Sequence, residues 1–333
     1  MSKLNQTVLV IGGAGYIGSH IVLELCEQGY DVTVFDNLST GHKKNIDLRA
    51  KFIEGDIFNQ NDLSNIFQKD YSAVFHFAAL KAAGESMLEP GKYASANITG
   101  TINILNQMVD NNVQNFIFSS TAAVYGMPQY LPLDENHPLK PINFYGFTKL
   151  EIERILQWYS ELKGICFGSL RYFNAAGYDT QGRIQGLEKN PANLLPIVME
   201  TVSGKRDSMD VYGNDYNTPD GSGIRDYIHV SDLATAHVKA LSVIIEKKKN
   251  LILNLATGKG YSVLEVVQKT QEITGEKVNY NIVERRPGDP AELIAVSKLA
   301  KNMIDWECEY SDMTTILQSM WEIYSRQQVK PII

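Results

Sequence analysis

The chain has 333 residues, of which 44% are hydrophobic and 21% are charged, and this is an ordinary composition for a globular protein. A chain of this length buries a substantial core and forms one large domain or two of medium size. Its net charge of −7 at pH 7 makes nucleic acid and anionic membrane surfaces poor candidates as partners.

The cysteines follow no metal-binding pattern. Cys26, Cys166 and Cys308 are widely spaced, and no CxxC motif or Cys/His cluster accompanies them, so we expect no metal site. The amino-terminal residues do not resemble a signal peptide, and no apolar stretch is long enough to span a bilayer. We therefore expect a cytoplasmic protein.

Short apolar runs alternate with helical patterns through the first half of the chain. Continuous runs of β-branched and apolar residues predict strands that are buried on both faces. The predicted strands cover 7–11, 31–36, 51–56, 73–78, 115–119 and 165–170, and the predicted helices cover 17–26, 93–109 and 145–162.

This alternation predicts an α/β fold with a doubly wound parallel sheet, the Rossmann architecture. Such sheets bind ligands at the carboxyl ends of their strands. After residue 177 the chain becomes richer in polar loops, which are typical of binding segments. We therefore predict a Rossmann domain over 1–177 and a smaller mixed α/β substrate domain over 178–333. The boundary is interleaved, because the apolar run 251–255 returns to the main sheet.

A glycine-rich loop follows the first predicted strand. Gly12, Gly15 and Gly18 fit the dinucleotide fingerprint, in which backbone N–H groups approach a pyrophosphate at the amino terminus of a helix. Asp36 ends the second strand and can accept hydrogen bonds from ribose hydroxyls, which favours NAD over NADP. Asp56 ends the third strand, where it either faces the adenine or is a solvent-exposed loop carboxylate.

Tyr145 and Lys149 form a Tyr-x-x-x-Lys pair at the start of a predicted helix. Positions four residues apart share one helix face, so both side chains can reach one ligand. A free tyrosine has a pKa of roughly 10, and a nearby ammonium and a positive nicotinamide predict a lower one. The fifth strand runs into Ser119, Ser120 and Thr121, whose hydroxyls either bind a substrate alcohol or cap a turn.

Several of these segments resemble the extended short-chain dehydrogenase/reductases: 12–20, 35–41, 77–86, 119–126 and 145–149. A second set narrows the resemblance to the UDP-glucose 4-epimerase family: 171–174, 193–196, 212–216, 223–230 and 285–289. The resemblance covers nearly the whole chain, and the later motifs are more specific than the glycine loop.

The resemblance implies that UDP-galactose and UDP-glucose are interconverted through a 4-keto sugar, on an NAD that is tightly bound and not consumed. Tyr145 would take the proton of the C4 hydroxyl while a hydride passes to NAD. Lys149 would tune Tyr145, and Thr121 would supply the catalytic hydroxyl, with Ser119 and Ser120 as auxiliary groups.

The resemblance also implies two sets of binding residues. The NAD site would consist of Gly12, Gly15, Tyr16, Ile17, Gly18, Asp36, Asn37, Asp56, Ile57, Phe77, Ala78, Lys81, Asn97, Ser119, Tyr145, Lys149 and Tyr172. The UDP-sugar would be held by Lys81, Thr121, Tyr145, Asn174, Asn193, Leu194, Tyr212, Arg225, Arg286, Asp289 and Leu293.

Some of these residues have an ordinary structural alternative. Lys81 is otherwise a solvated surface lysine, and Arg225 and Arg286 are otherwise structural ion pairs. Tyr212 either stacks near the uracil or belongs to the core. At position 293 some relatives carry a bulky tyrosine beside the sugar, and the smaller Leu293 favours acceptance of an N-acetyl group at C2.

Two competing functions are disfavoured by the residues present. A 4,6-dehydratase needs an Asp-Glu pair after the catalytic Ser or Thr, whereas this chain has Ala122 and Ala123. A non-catalytic NAD sensor is expected to have lost Tyr145 or Lys149. The family resemblance further implies a homodimer, formed through the helices near 93–109 and 145–162.

Overall fold

The computed structural model describes residues 6–189, 191–286 and 288–327. Its strands are β1 (Thr7–Ile11), β2 (Asp31–Asp36), β3 (Lys51–Glu54), β4 (Ala73–His76), β5 (Asn115–Thr121), β6 (Cys166–Tyr172), β7 (Asn174–Ala176), β8 (Met209–Tyr212), β9 (Ile224–His229), β10 (Leu251–Leu255), β11 (Gly260–Ser262), β12 (Tyr280–Val283) and β13 (Glu292–Leu293).

The helices connect and cover these strands. They are α1 (Tyr16–Glu27), α2 (Gln60–Ile66), α3 (Ala83–Leu88), α4 (Pro90–Tyr93), α5 (Gly100–Asp110), α6 (Phe144–Lys163), α7 (Leu194–Val202), α8 (Val230–Lys247), α9 (Val263–Thr274), α10 (Lys298–Ile304) and α11 (Met313–Ser325). A π-helical segment, Ala94–Thr99, joins α4 to α5, so the helix predicted over 93–109 contains a wide turn. Within the described ranges, no helix is both long enough and apolar enough to cross a membrane.

The largest sheet in the described residues has seven strands in the order β10-β6-β5-β4-β1-β2-β3. Every pairing is parallel, which confirms the predicted doubly wound α/β fold. The strand ends differ slightly from the prediction. β5 continues to Thr121 because it lies between two neighbours and pairs with β6 to its end. β3 stops at Glu54, and the Asp56 carboxylate instead accepts the N–H of Phe58 in the following turn.

Helices cover both faces of this sheet, and each face has its own apolar core. Residues of α1 and α8 pack on one face, and residues of α5 and α6 pack on the other. Because α8 and β10 come from the second half of the chain, that half completes the main sheet and its cover. The division at residue 177 stays a prediction.

The rest of the second half forms two small sheets beside the carboxyl edge of the main one. β9 pairs with β7, β11 and β13, and β8 pairs with β12. The helices α7, α9 and α11 enclose a separate core with the residues of these strands. The arrangement is a smaller mixed α/β layer, which contacts the segment after β5 through Leu293 and follows directly from β6 through β7.

Candidate active site

The loop between β1 and α1 is shaped by its glycines. Gly12 has a φ of +82°, and a Cβ there would lie 2.4 Å from the backbone nitrogen of Ala78. A Cβ on Gly18 would lie 2.2 Å from the carbonyl oxygen of Gly12, so the helix can approach the loop only without a side chain. At Gly15 the nearest atom would be 3.3 Å away, and no side chain caps the first turn of α1. The loop therefore presents unshielded N–H groups that suit a pyrophosphate.

An open cleft lies beside this loop. It collects eight of the predicted NAD residues, which are Gly12, Gly15, Asp36, Asn37, Asp56, Ile57, Phe77 and Ala78. Asp36 is buried at the end of β2 and accepts hydrogen bonds from the N–H groups of Ala14 (2.9 Å) and Leu38 (2.8 Å). Burial raises the pKa of this carboxyl. Asn37 donates to Asp56 at 3.0 Å, which joins the ends of β2 and β3 on one wall.

Other predicted NAD residues use their side chains inside the protein. The Tyr16 hydroxyl donates to the carbonyl of Gly177. Asn97 is buried and bonds the N–H and the carbonyl of Leu80 at 2.9 and 3.0 Å. Lys81 is half exposed and forms an ion pair with Glu188. These contacts shape the segments around the cleft, and the assignment of the residues to NAD stays a prediction.

The predicted catalytic residues meet at the carboxyl end of β5. Asn143 caps α6 by accepting the N–H of Gly146 at 2.8 Å, which places Tyr145 and Lys149 in the first two turns. The Lys149 ammonium donates to the carbonyl of Ser119 at 3.0 Å. It lies 6.0 Å from the centre of the Tyr145 ring.

Burial acts strongly on both members of this pair. It raises the pKa of Tyr145 to about 12, and the nearby Thr121 hydroxyl opposes the rise. It lowers the pKa of Lys149 to about 7, and the Glu153 carboxylate opposes the fall. The sequence predicted a lowered tyrosine pKa, whereas desolvation by the protein alone has the opposite effect. A positive charge beside the phenol favours its ionised form.

The remaining four predicted NAD residues lie in β5, β6 and α1. Ser119 is buried in β5, and its hydroxyl bonds the hydroxyl of Tyr172 in β6. Ile17 and Gly18 lie in the first turn of α1. The structure thus brings the glycine loop, the end of β2 and the Tyr145–Lys149 pair to one edge of the sheet.

The predicted sugar residues from Asn174 onward lie in the smaller α/β layer. Arg225 of β9 pairs with Asp289 at 2.6 Å, so the structure contains the ion pair that the sequence left as an alternative. Leu293 lies opposite Arg225 in the β9–β13 register. The guanidinium of Arg286 stacks 3.8 Å above the Tyr212 ring.

The remaining predicted contacts lie at the ends of short elements. Asn174 begins β7 and donates to the carbonyl of Asp226 at 2.8 Å. Asn193 is the exposed residue before α7, and Leu194 is the first residue of that helix. The three positions belong to elements of the same layer as Arg225, and their role toward a sugar stays a prediction.

Sequence reasoning missed a buried polar network behind the Tyr145–Lys149 pair. Glu153 and Arg171 are 2% exposed and form an ion pair at 2.5 Å. The Ser120 hydroxyl donates to Glu153 at 2.6 Å. The available signal was the spacing, because Glu153 repeats the four-residue interval that separates Tyr145 from Lys149 on the same helix.

The residues present fit NAD, because the approach at Gly15 is open and Asp36 ends the strand beside it. Together with a Tyr-x-x-x-Lys pair beside a hydroxyl-bearing strand end, they define an NAD-dependent enzyme of the extended short-chain dehydrogenase/reductase class. Residues 8–256 match the model of the NAD dependent epimerase/dehydratase family. The chain belongs to this family.

Named relatives extend the similarity to nearly full length. A UDP-glucose 4-epimerase of Halalkalibacterium halodurans is 44% identical over 317 residues, which are 95% of each chain. One of Lacticaseibacillus casei is 41% identical over 318 residues, which are 95% of this chain and 96% of the relative. The crystal structure of UDP-glucose 4-epimerase from Brucella ovis in complex with NAD is similar with a TM-score of 0.93 and 43% identity. That match covers 96% of this chain and 98% of the other.

Proposed function

We propose that the chain is a UDP-glucose 4-epimerase, which interconverts UDP-galactose and UDP-glucose through a 4-keto sugar. The observation that carries the proposal is the meeting of Tyr145, Lys149 and Thr121 at the edge of the NAD-type cleft. Ala122 and Ala123 follow Thr121, so the chain lacks at these positions the acid and base that would expel water from the sugar. Bound NAD supplies a hydride acceptor that becomes the donor in the second half of the reaction.

The protein's own side chains transfer the proton of the C4 hydroxyl. Tyr145 accepts the proton of the C4 hydroxyl and returns it after the sugar presents its other face. Thr121 hydrogen-bonds the same oxygen. The Lys149 ammonium lies beside the Tyr145 ring and stabilises the phenolate, which burial by itself disfavours.

The smaller α/β layer holds the nucleotide sugar. Arg286 carries a charged fork that suits a diphosphate, and its stacking on Tyr212 orders a long side chain. Arg225 forms an ion pair with Asp289, so the pair provides fixed polar groups beside the proposed sugar site. The exposed Asn193 offers a neutral hydrogen-bonding group at the start of α7.

The direct test is turnover without added cofactor. The purified protein, with its NAD content measured after denaturation, is incubated with UDP-galactose, and the product is followed by NMR. We expect UDP-glucose to form until the two sugars reach equilibrium. If a protein that contains NAD forms no UDP-glucose, the proposal is wrong.

A second candidate activity is the epimerisation of N-acetylated UDP-hexosamines in addition to UDP-galactose and UDP-glucose. It is favoured by Leu293, which packs against the apolar cluster that contains Val124 and Tyr125, just after the predicted catalytic strand end. A Leu293→Tyr variant should keep UDP-galactose turnover and lose UDP-N-acetylgalactosamine turnover, because the ring occupies the space of the acetyl group. If the native enzyme already turns over the acetylated sugar far more slowly, Leu293 is not permissive.

The proposed enzyme is a cytoplasmic homodimer. Trp158 and Leu162 leave 62% and 69% of their surface exposed and lie four residues apart on α6, so they form an apolar stripe on one face. A second copy of the same helix is the occupant we propose. The buried or half-buried thiols of Cys26, Cys166 and Cys308 are all unpaired, as is usual in a reducing compartment.

A further inference from the structure

One face of α6 carries three ionisable residues at equal intervals. Tyr145, Lys149 and Glu153 are separated by four residues each, so their side chains lie above one another along the helix. The first two belong to the proposed catalytic site. Glu153 has no role in that proposal, although its side chain is only 2% exposed.

The Glu153 carboxylate is held by four hydrogen bonds from the sheet. Its Oε1 atom accepts from the hydroxyls of Ser120 (2.6 Å) and Ser169 (3.0 Å) and from Nε of Arg171 (3.0 Å). Its Oε2 atom accepts from Nη2 of Arg171 at 2.5 Å. Ser120 and Arg171 are direct partners in the β5–β6 register. The carboxylate therefore has a fixed position beneath the helix.

This anchor is connected to the end of β5 that bears the reacting groups. Ser120 stands between Ser119, whose carbonyl accepts the Lys149 ammonium at 3.0 Å, and Thr121, whose hydroxyl faces Tyr145. A shift of Ser120 thus displaces both neighbours. Glu153 bonds this strand end from the same helix that carries Tyr145 and Lys149, one turn beyond the bond from Lys149 to Ser119.

We propose that Glu153 is a positioning residue, whose carboxylate keeps the Lys149 amine protonated and fixes the end of β5 through Ser120. The inference rests on the proposed function, in which the Lys149 ammonium stabilises the Tyr145 phenolate. Burial lowers the pKa of Lys149 to about 7, and Glu153 acts against that fall. Without the carboxylate, the amine loses its proton at a lower pH.

Other ionisable groups around Lys149 do not take over this role. His76 of β4 is neutral, because burial lowers its pKa to about 3. Tyr172 of β6 is neutral, because burial raises its pKa. The Arg171 charge is engaged by Glu153 itself. While Tyr145 is protonated, the negative charge that acts on Lys149 is therefore that of Glu153.

The test compares two variants with a matched control. Glu153→Gln removes the charge, and Glu153→Gln with Arg171→Gln removes it without leaving a buried guanidinium unpaired. Glu151→Gln makes the same change two residues earlier on α6, where the carboxylate pairs with Arg154 near the surface. Lysine labelled with ¹³C at Cε reports the pH midpoint of Lys149, assigned through a Lys149→Arg sample.

We expect the Lys149 midpoint to fall by about half to one pH unit in both Glu153 variants, as is typical of a lost neighbouring charge. The alkaline limb of kcat should move with it, so that kcat at pH 8.5 falls about three- to tenfold. Glu151→Gln should match the native enzyme in both measurements.

A purely structural role gives a different result. In that case the double variant regains the native unfolding midpoint in urea together with the native Lys149 titration, and the inference is overturned. If the Lys149 midpoint moves but the kcat profile does not follow, Glu153 still sets the protonation of Lys149. In that case the role of Lys149 in the proposed function is wrong, and the inference about Glu153 stands.

Discussion

Tyr145 occupies an environment that opposes its ionisation. The residue lies in the first turn of α6, its backbone N–H donates to the Ser86 hydroxyl at 3.0 Å, and its phenol is desolvated. Burial raises its pKa to about 12, so the side chain is a weak base until a positive charge lies beside it. The proposed mechanism therefore depends on the Lys149 charge and on the charge that the oxidised nicotinamide supplies when bound.

The Tyr145→Phe variant tests this residue directly. General acid–base groups contribute about 10²- to 10⁴-fold to turnover, and we expect kcat for UDP-galactose to fall by that range while NAD content is unchanged. Tyr159→Phe is the matched control on the same helix, since its hydroxyl only donates to Asn106. A Tyr145→Phe enzyme within about threefold of native kcat would show that another group is the base.

At the residue scale, sequence reasoning predicted the positions that local backbone geometry decides, whereas the roles of these residues stay predictions. Gly12, Asp36 and the Tyr145–Lys149 pair were predictable, because their neighbours in sequence determine the turn, the strand end and the helix face. The ion pair of Lys81 with Glu188 and the bonds of Asn97 to Leu80 join segments far apart in the chain. Such contacts depend on tertiary packing, which spacing does not report.

The first turn of α1 lies directly against the glycine loop. The carbonyl of Gly12 occupies the space of a side chain at Gly18. Any methyl group there forces α1 away from the loop, and the N–H groups that face the cleft move with the helix. Local packing of this kind links stability to cofactor binding.

Gly18→Ala should therefore lower the free energy of unfolding by about 1–3 kcal/mol, as overpacking usually does. The NAD content of the purified protein should fall with it. Gly84→Ala is the control, because a Cβ on Gly84 in α3 meets no atom within 4 Å. That substitution should leave stability equal or slightly higher. Equal urea midpoints for the two variants would contradict the packing argument.

At the element scale, the apolar runs predicted the strands of the main sheet and its parallel order. The ends of the strands were harder to predict. Thr121 belongs to β5 because it pairs with Tyr172, which lies 51 residues later in the chain. The short strands β7, β11 and β13 have no repeat long enough to read from sequence. Each of these three strands forms by pairing with β9.

The outer face of the molecule carries the proposed dimer contact. Trp158→Glu with Leu162→Glu places two charges in that stripe, and we expect sedimentation at micromolar concentration to change from dimer to monomer. Leu48→Glu is the control, because Leu48 is fully exposed in a loop after β2. A native protein that already sediments as a monomer would refute the dimer.

Buried histidines make the stability of the whole fold depend on pH. Burial lowers the pKa of His20 and His237 to about 4 and that of His76 and His229 to about 3, whereas unfolded histidine titrates near 6.5. Between these values the unfolded chain binds protons that the folded chain does not. The free energy of unfolding is therefore highest above pH 6.5 and falls as the pH drops toward 4.

Urea unfolding at pH 7, 6 and 5 measures this loss. His237→Gln should reduce the loss between pH 6.5 and 5 by roughly 1–2 kcal/mol. An identical pH dependence in the native protein and the His237 variant would contradict the assignment.

The late return of the chain to the main sheet has a consequence during synthesis. β6 ends at Tyr172, whereas its outer neighbour β10 begins at Leu251 and the helix that covers this face begins at Val230. Ribosomes add about 5–20 residues per second, so roughly 80 residues pass in about 4–16 s. Throughout that interval the nascent sheet has an open edge at β6, and the part of the apolar face that α8 covers stays exposed until α8 is made. Open edges and exposed apolar surface are the features that chaperones bind.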